Sequence, residues 1–140
     1  MNLSLKGKLV SGKGTGATFV SLPIYEAIFA KYFENKIYHG TLNLELQSEY
    51  IEILDQKFET SLTYPSMTYN GKTYGGIKII KIKINYQNSK SIGLAVRPLK
   101  STHYVNILEI VSDINFRDTL NIKNGEIIEI LIEKEGQQSR

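Results

Sequence analysis

The chain of 140 residues has no cysteine, no tryptophan and only two histidines. Without cysteine there is no disulfide, no thiolate metal site and no thiol nucleophile. His39 and His103 are too far apart in sequence to suggest a metal pair, so each is expected at the surface or in a hydrogen bond. No apolar run approaches a membrane span, and residues 1–6 lack the apolar stretch of a signal peptide. A soluble, cytoplasmic protein is the expectation. Linkers, low-complexity tracts and clear repeats are also missing. So is a strong excess of one charge: 17 Lys and Arg against 14 Asp and Glu leave a net charge of +3. That balance suits an anionic ligand, nucleotide or nucleic acid, yet the lysines are dispersed except at residues 78–83.

What is present is apolar and mostly strand-like. A hydrophobic content of 41% is enough to build a core, and the leucine and isoleucine content excludes disorder. Leu3, Leu5, Gly7 and Leu9 alternate with Asn2, Ser4, Lys6 and Lys8, the period of a half-buried strand. Pro23 opens a predicted helix, since proline at the first helical position loses no hydrogen bond. Ile24, Ile28, Phe29, Tyr32 and Phe33 give it one apolar face through about Glu34. Further strands are predicted at residues 41–46, 51–54, 77–86, 92–96, 106–111 and 126–133. Within 77–86, Ile80, Ile82 and Ile84 face opposite to Lys81, Lys83 and Asn85. Asn70-Gly71 is a hairpin signal. Residues 55–69 read as polar and irregular, and residues 115–121 as a short helix. Many short strands with close turns and one early helix predict a small closed β-barrel. Its single domain spans residues 1–134, and residues 135–140 form a frayed tail.

Two strings carry the chemistry. The first is Ser11-Gly12-Lys13-Gly14-Thr15-Gly16-Ala17, directly after the first strand. Glycine lets backbone approach a ligand closely, and successive N–H groups can cradle phosphate oxygens. The spacing matches neither a Walker A loop nor the dinucleotide fingerprint. A mobile hairpin turn would look the same. The second string is Gly40-Thr41-Leu42-Asn43-Leu44. On a strand, Thr41 and Asn43 share one face while Leu42 and Leu44 enter the core. A hydroxyl and an amide oxygen are hard ligands suited to Mg²⁺ if phosphates supply the charge. Two ordinary polar residues on a solvent-facing strand are the plain alternative. Gly40 marks a bend or a close backbone approach.

Taken together, the two strings and several later segments resemble the archaeal CTP-dependent riboflavin kinase family. The matching residues are Gly7, Leu9-Val10-Ser11-Gly12, Gly14 and Gly16, then Phe19-Val20-Ser21-Leu22-Pro23 with Tyr25, and then residues 40–44. They continue with Pro98, Lys100, Ser101-Thr102-His103, Glu109-Ile110-Val111, Phe116-Arg117, Leu120, Ile122 and Asn124-Gly125-Glu126. The resemblance implies a mostly β fold, a six-stranded cradle-loop barrel with one early helix and a short C-terminal helix. It implies transfer of the γ-phosphate of CTP to the ribityl 5′-hydroxyl of riboflavin, giving FMN and CDP. By position, Gly12, Lys13, Gly14, Thr15, Gly16 and Ala17 would bind nucleotide, as would Ile114, Asn115, Phe116 and Arg117. Thr41 and Asn43 would hold one Mg²⁺ ion arriving with the nucleotide. Ser101, Thr102 and Glu109 would contact the flavin, Glu109 orienting the hydroxyl or acting as its base. Tyr74 and Tyr104 are candidates for the flavin wall. Ala17 stands where the family often has Arg, and Asp113 where it often has Pro; the Asp113 carboxylate is expected to point away from phosphate. Arg117 is expected on phosphate, or paired with Asp118 or Asp113.

The expected partners are riboflavin, FMN, CTP and CDP, with no membrane, no nucleic acid and a monomeric state. Some relatives carry a fused winged-helix domain; Met1 just ahead of the first strand points to a short form without one. A competing reading is a DNA-binding barrel of the swapped-hairpin type, which residues 120–128 also fit. Such chains are much shorter and have no use for the glycine loop, Thr41 or Asn43.

Overall fold

Side chains that alternate along each strand build the sheet, and its register closes it. The computed structural model describes residues 2–11, 20–99 and 106–133. Its strands are β1 (Asn2–Val10), β2 (Leu42–Leu46), β3 (Leu62–Tyr64), β4 (Met67–Tyr69), β5 (Lys72–Tyr74), β6 (Ile77–Tyr86), β7 (Ser89–Pro98), β8 (Ile107–Val111) and β9 (Ile127–Glu133). Three helices lie wholly within the described residues: α1 (Pro23–Ala30), α2 (Ser48–Glu59) and α3 (Phe116–Thr119). The strand order β6-β7-β8-β2-β1-β9 returns on itself, because β9 also pairs with β6 through Ile82↔Ile132 and Ile84↔Ile130. The result is the expected closed, antiparallel six-stranded barrel. β3 extends the sheet along the first part of β6, and β4 and β5 form a separate hairpin. Asn70 and Gly71 turn that hairpin with φ of 51° and 79°, as the Asn-Gly pair predicts.

The barrel interior is packed by Leu5, Leu9, Leu42, Leu44, Ile80, Ile82, Ile84, Leu108, Ile110 and Ile130, among others. Isoleucines 80, 82 and 84 point inward and Lys81 and Lys83 outward, as the alternation predicts. A second core lies outside the barrel wall. There α1 lays Tyr25, Ile28 and Phe29 over the outward residues Ile77, Ile79, Leu94, Val96 and Val111. This part of the sheet is therefore buried on both faces, which period-two reasoning alone does not show.

Several boundaries differ from the sequence reading: the strand read at 92–96 spans Ser89–Pro98, the short helix read at 115–121 spans Phe116–Thr119, and the 55–69 stretch also holds β3 and β4. The first helix stops at Ala30 rather than near Glu34. Its last N–H groups shift to partners three residues back: Lys31 to Ile28, Tyr32 to Phe29 and Phe33 to Ala30. Residues 51–54, read as a strand, belong instead to α2, which also takes up the first part of the supposedly irregular 55–69 stretch. Leu54 and Phe58, one helical turn apart, are fully buried in the barrel core. Arg97 fastens the helix, with its guanidinium 4.3 Å from the Phe58 ring centroid and 2.7 Å from Asp55 Oδ1. α2 follows the end of β2 and α3 follows the end of β8; these strands are antiparallel, so the two helices cap opposite ends of the barrel. No described helix is long and apolar enough to cross a membrane. The glycine-loop residues Gly12, Lys13, Gly14, Thr15, Gly16 and Ala17 lie outside the described residues. So do Ser101, Thr102, His103, Tyr104 and the 135–140 tail.

Candidate active site

At the α3 end of the barrel, antiparallel pairing brings three chain segments together: the end of β1, the start of β2 and the segment that follows β8. Asn43 is the pivot. It pairs with Val10 on one side and with Glu109 on the other. Because Leu42 and Leu44 point inward, Asn43 and Glu109 share the outer face, in line with Val96 and Ile79 of the second core. Asn43 is only 8% exposed, one of two buried polar residues among those described. A polar side chain on the outside of a strand is ordinarily solvated, so its burial here sets it apart from the plain solvent-face alternative. Glu109 is half-buried beside it, as its apolar neighbours predict.

Thr41 completes the pair. Its Oγ1 donates to Asn43 Oδ1 at 3.4 Å, and Asn43 Nδ2 donates to the Thr41 carbonyl at 3.4 Å. Both contacts are at the long limit of a hydrogen bond, so neither saturates the oxygens. Adjacent oxygens around an octahedral Mg²⁺ lie about 3 Å apart. The Thr41 and Asn43 oxygens are near that spacing and of the right hardness, so these residues fit the ion. Among the described residues no cluster of three or more His, Asp or Glu side chains could hold a metal. An ion here would need charge from a bound anion. Gly40 packs against Tyr38: a Cβ on it would sit 2.6 Å from Cε2 of that ring.

The segment after β8 is fastened from several sides. Ser112 is buried and donates from Oγ to the Ile92 carbonyl at 2.9 Å. Its own carbonyl accepts from Tyr38 N at 3.0 Å, tying in the stretch that leads to Gly40. Asp113 accepts from Asn35 Nδ2 at 3.2 Å and from Ser112 Oγ at 3.4 Å. Asn115 caps α3, its Oδ1 accepting from the N–H groups of Arg117 and Asp118. Its Nδ2 donates to Asp118 at 2.8 Å and to the Tyr38 hydroxyl at 3.2 Å. Phe116 is buried in the barrel core and Ile114 packs against it, so these two offer backbone rather than side chain to a ligand.

Arg117 has neither of the aspartate partners considered from sequence. Its Nη2 donates to Asn124 Oδ1 at 2.6 Å and to the Val10 carbonyl at 3.3 Å. Asn124 in turn donates from Nδ2 to Ser11 Oγ at 2.8 Å. Sequence reasoning missed Asn124 and Ser11 as site components. Asn124 stands in the sequence only among the residues that carry the family resemblance, and nothing local announces a partner 113 positions away. His39 is hydrogen-bonded as expected, 2.8 Å from Glu26. Tyr74 stands edge-on to Tyr25, with centroids 6.0 Å apart, inside the second core.

Comparison with known proteins bears directly on this arrangement. The family model named for CTP-dependent riboflavin kinase, and described as a domain of unknown function (DUF120), matches residues 9–132. A riboflavin kinase of Staphylothermus marinus is 38% identical over 99% of this chain and 98% of its own length. One of Methanococcus aeolicus is 32% identical over 90% of this chain and 95% of its own. One of Pyrobaculum aerophilum is 33% identical over 94% of this chain, which spans 61% of that protein. Nothing among these matches supports the DNA-binding alternative. The family match runs from the end of β1 into β9, through every described residue of the site, and the chain belongs to the CTP-dependent riboflavin kinase family.

Proposed function

We propose that this chain transfers the γ-phosphate of CTP to the ribityl 5′-hydroxyl of riboflavin, giving FMN and CDP, at the site built around Asn43. The observation that carries the reading is a buried amide, Asn43, paired across the strands with Glu109 and next to Thr41, where the β1 end and the α3 segment meet. Phosphoryl transfer asks little covalent chemistry of a protein; it asks for alignment and for neutralisation of charge. Thr41 and Asn43 would hold Mg²⁺ through Oγ1 and Oδ1. When bound, the ion would offset phosphate charge in the transition state.

The remaining work falls to the chain itself. Glu109 accepts the hydrogen bond of the ribityl hydroxyl and points its oxygen along the line of transfer. Its half-buried position beside apolar residues keeps competing water away from that hydroxyl. The segment 114–117 and the loop 12–17 receive the nucleotide, mainly through backbone N–H groups, which is why neither carries a conspicuous side-chain signature for cytosine. Asp113 is engaged by Asn35 and Ser112, which supports the expectation that its charge is turned away from phosphate.

The direct test is chromatographic detection of FMN after incubating the protein with riboflavin, Mg²⁺ and CTP, ATP, GTP or UTP in parallel. FMN formed mainly with CTP is the expected result. FMN formed mainly with ATP would discard the donor, and a folded protein yielding none with any donor would discard the activity. Repeating the CTP reaction in EDTA tests the metal.

A further inference from the structure

Two parts of the nucleotide site are far apart in sequence, yet one side chain joins them. We infer that Asn124 is a positioning residue for nucleotide binding: its amide clamps the α3 segment to the end of β1. The inference rests on the proposed function of that segment.

The amide is used at both ends. Its Oδ1 accepts from Arg117 Nη2 at 2.6 Å, a short bond with a charged donor. Its Nδ2 donates to Ser11 Oγ at 2.8 Å. The same guanidinium nitrogen reaches the Val10 carbonyl at 3.3 Å, closing a ring through β1. Backbone bonds hold the turn that carries Asn124: Gly125 N donates to the Leu9 carbonyl at 2.8 Å and Leu9 N to the Glu126 carbonyl at 2.9 Å. Removing the side chain therefore leaves the turn anchored and frees only the clamp. Arg117 keeps its own 3.3 Å contact with the Val10 carbonyl, but the shorter route to Ser11 runs through the amide alone.

The chemistry also specifies which replacement works. An aspartate at 124 still accepts from Arg117, now as a carboxylate, and accepts the Ser11 hydroxyl proton by rotation of that hydroxyl. An alanine does neither. Loss of the clamp leaves the α3 segment and the β1 end joined only by the longer Arg117–Val10 contact, so binding must first restore their arrangement. That cost falls on the nucleotide and not on the flavin.

The experiment is steady-state kinetics of FMN formation for the full chain and its variants, with melting temperatures alongside. N124A is expected to raise the KM for CTP about tenfold, on the scale of a lost hydrogen bond, with the KM for riboflavin within about twofold of the parent. N124D is expected to bring the KM for CTP back to within about twofold. An unchanged KM for CTP in N124A overturns the inference. So does a parallel rise for both substrates, or a failure of N124D to rescue. Should N124A not fold, S11A cuts the other end of the clamp without touching the turn. A rise of about threefold in the KM for CTP then supports the clamp, and no rise overturns it. Should the unaltered protein form no FMN, the proposed function fails, and calorimetric titration with CDP decides the clamp separately. Weaker CDP binding by N124A upholds it, and equal binding, or no binding by the unaltered protein, overturns it.

Discussion

Replacing Asn43 should separate the site from the fold. The side chain is 8% exposed, but its two hydrogen bonds to Thr41 are both 3.4 Å long. Contacts that long contribute at the low end of the ordinary net value, so Asn43→Ala should cost about 1 kcal/mol or less. For a chain of this size that lowers Tm by about 2–4 °C. Turnover should fall by about 10²-fold or more at millimolar Mg²⁺, because one of two protein oxygens for the ion is gone. Asn43→Asp tests the same idea from the other side. It keeps the oxygen but puts a second carboxylate about 5 Å from Glu109 across the strands. At an effective dielectric constant near 20, two such charges repel by about 3 kcal/mol. The Asn43→Asp protein should therefore melt well below the parent in EDTA and recover most of the difference as Mg²⁺ is added, whereas the parent should respond little. Thermal melts with and without Mg²⁺, run beside the FMN assay, read both effects. Turnover of Asn43→Ala within about threefold of the parent, or an Asn43→Asp protein as stable as the parent in EDTA, would refute the reasoning.

Three further outcomes are expected. Glu109→Gln should reduce kcat only modestly if the carboxylate orients the hydroxyl, and by about 10²-fold or more if it takes the proton. Single-turnover rates distinguish the two. Gly40→Ala would push a methyl group to 2.6 Å from the Tyr38 ring and break its bond to Asn115. That should cost about 1–3 kcal/mol by denaturant melts and cost much less in a Tyr38→Ala background, where the clash is absent. Hydrogen bonds from Ser4 and then Asn85 hold the Glu129 carboxyl below its ordinary value of 4.5. A depressed carboxyl contributes stability that is complete above about pH 4.5 and is lost as pH falls through its folded-state value. Glu129→Gln should therefore lower Tm at pH 7, and its difference from the parent should shrink as pH falls below 4.5.

The barrel was legible because each strand states its inward face: Leu42, Leu44 and Leu46, or Ile80, Ile82 and Ile84, at every second position. The turn at Asn70-Gly71 was legible from local backbone chemistry. α2 was not, because residues 51–54 taken alone form a short apolar run. Only Ile51, Leu54 and Phe58 together show helical spacing, and Asp55 between them reads as a loop until Arg97 is seen to meet it. The second core was hidden for a different reason. Ile79, Val96 and Val111 lie on the outward face, and nothing in their own strands says that α1 covers them. At the site, Thr41, Asn43 and Glu109 could be named from their motifs, but the burial of Asn43 depends on packing outside its strand. The Arg117–Asn124–Ser11 connection joins residues from three separate stretches of chain and exists only once the barrel has closed.

That closure has a consequence for the order of events during synthesis. Leu3 pairs with Ile132 and Lys8 with Ile127, and β9 is also the strand that seals β6. The first strand therefore lacks one of its two neighbours until nearly all of the described chain has left the ribosome. Pairings between such distant segments form slowly, because the loop entropy is lost before the contacts are gained. Until β9 arrives, β1 and β6 present apolar residues and unpaired edges, the condition in which nascent chains aggregate or recruit chaperones. Nucleotide added to a refolding chain should find nothing to bind until this last strand docks.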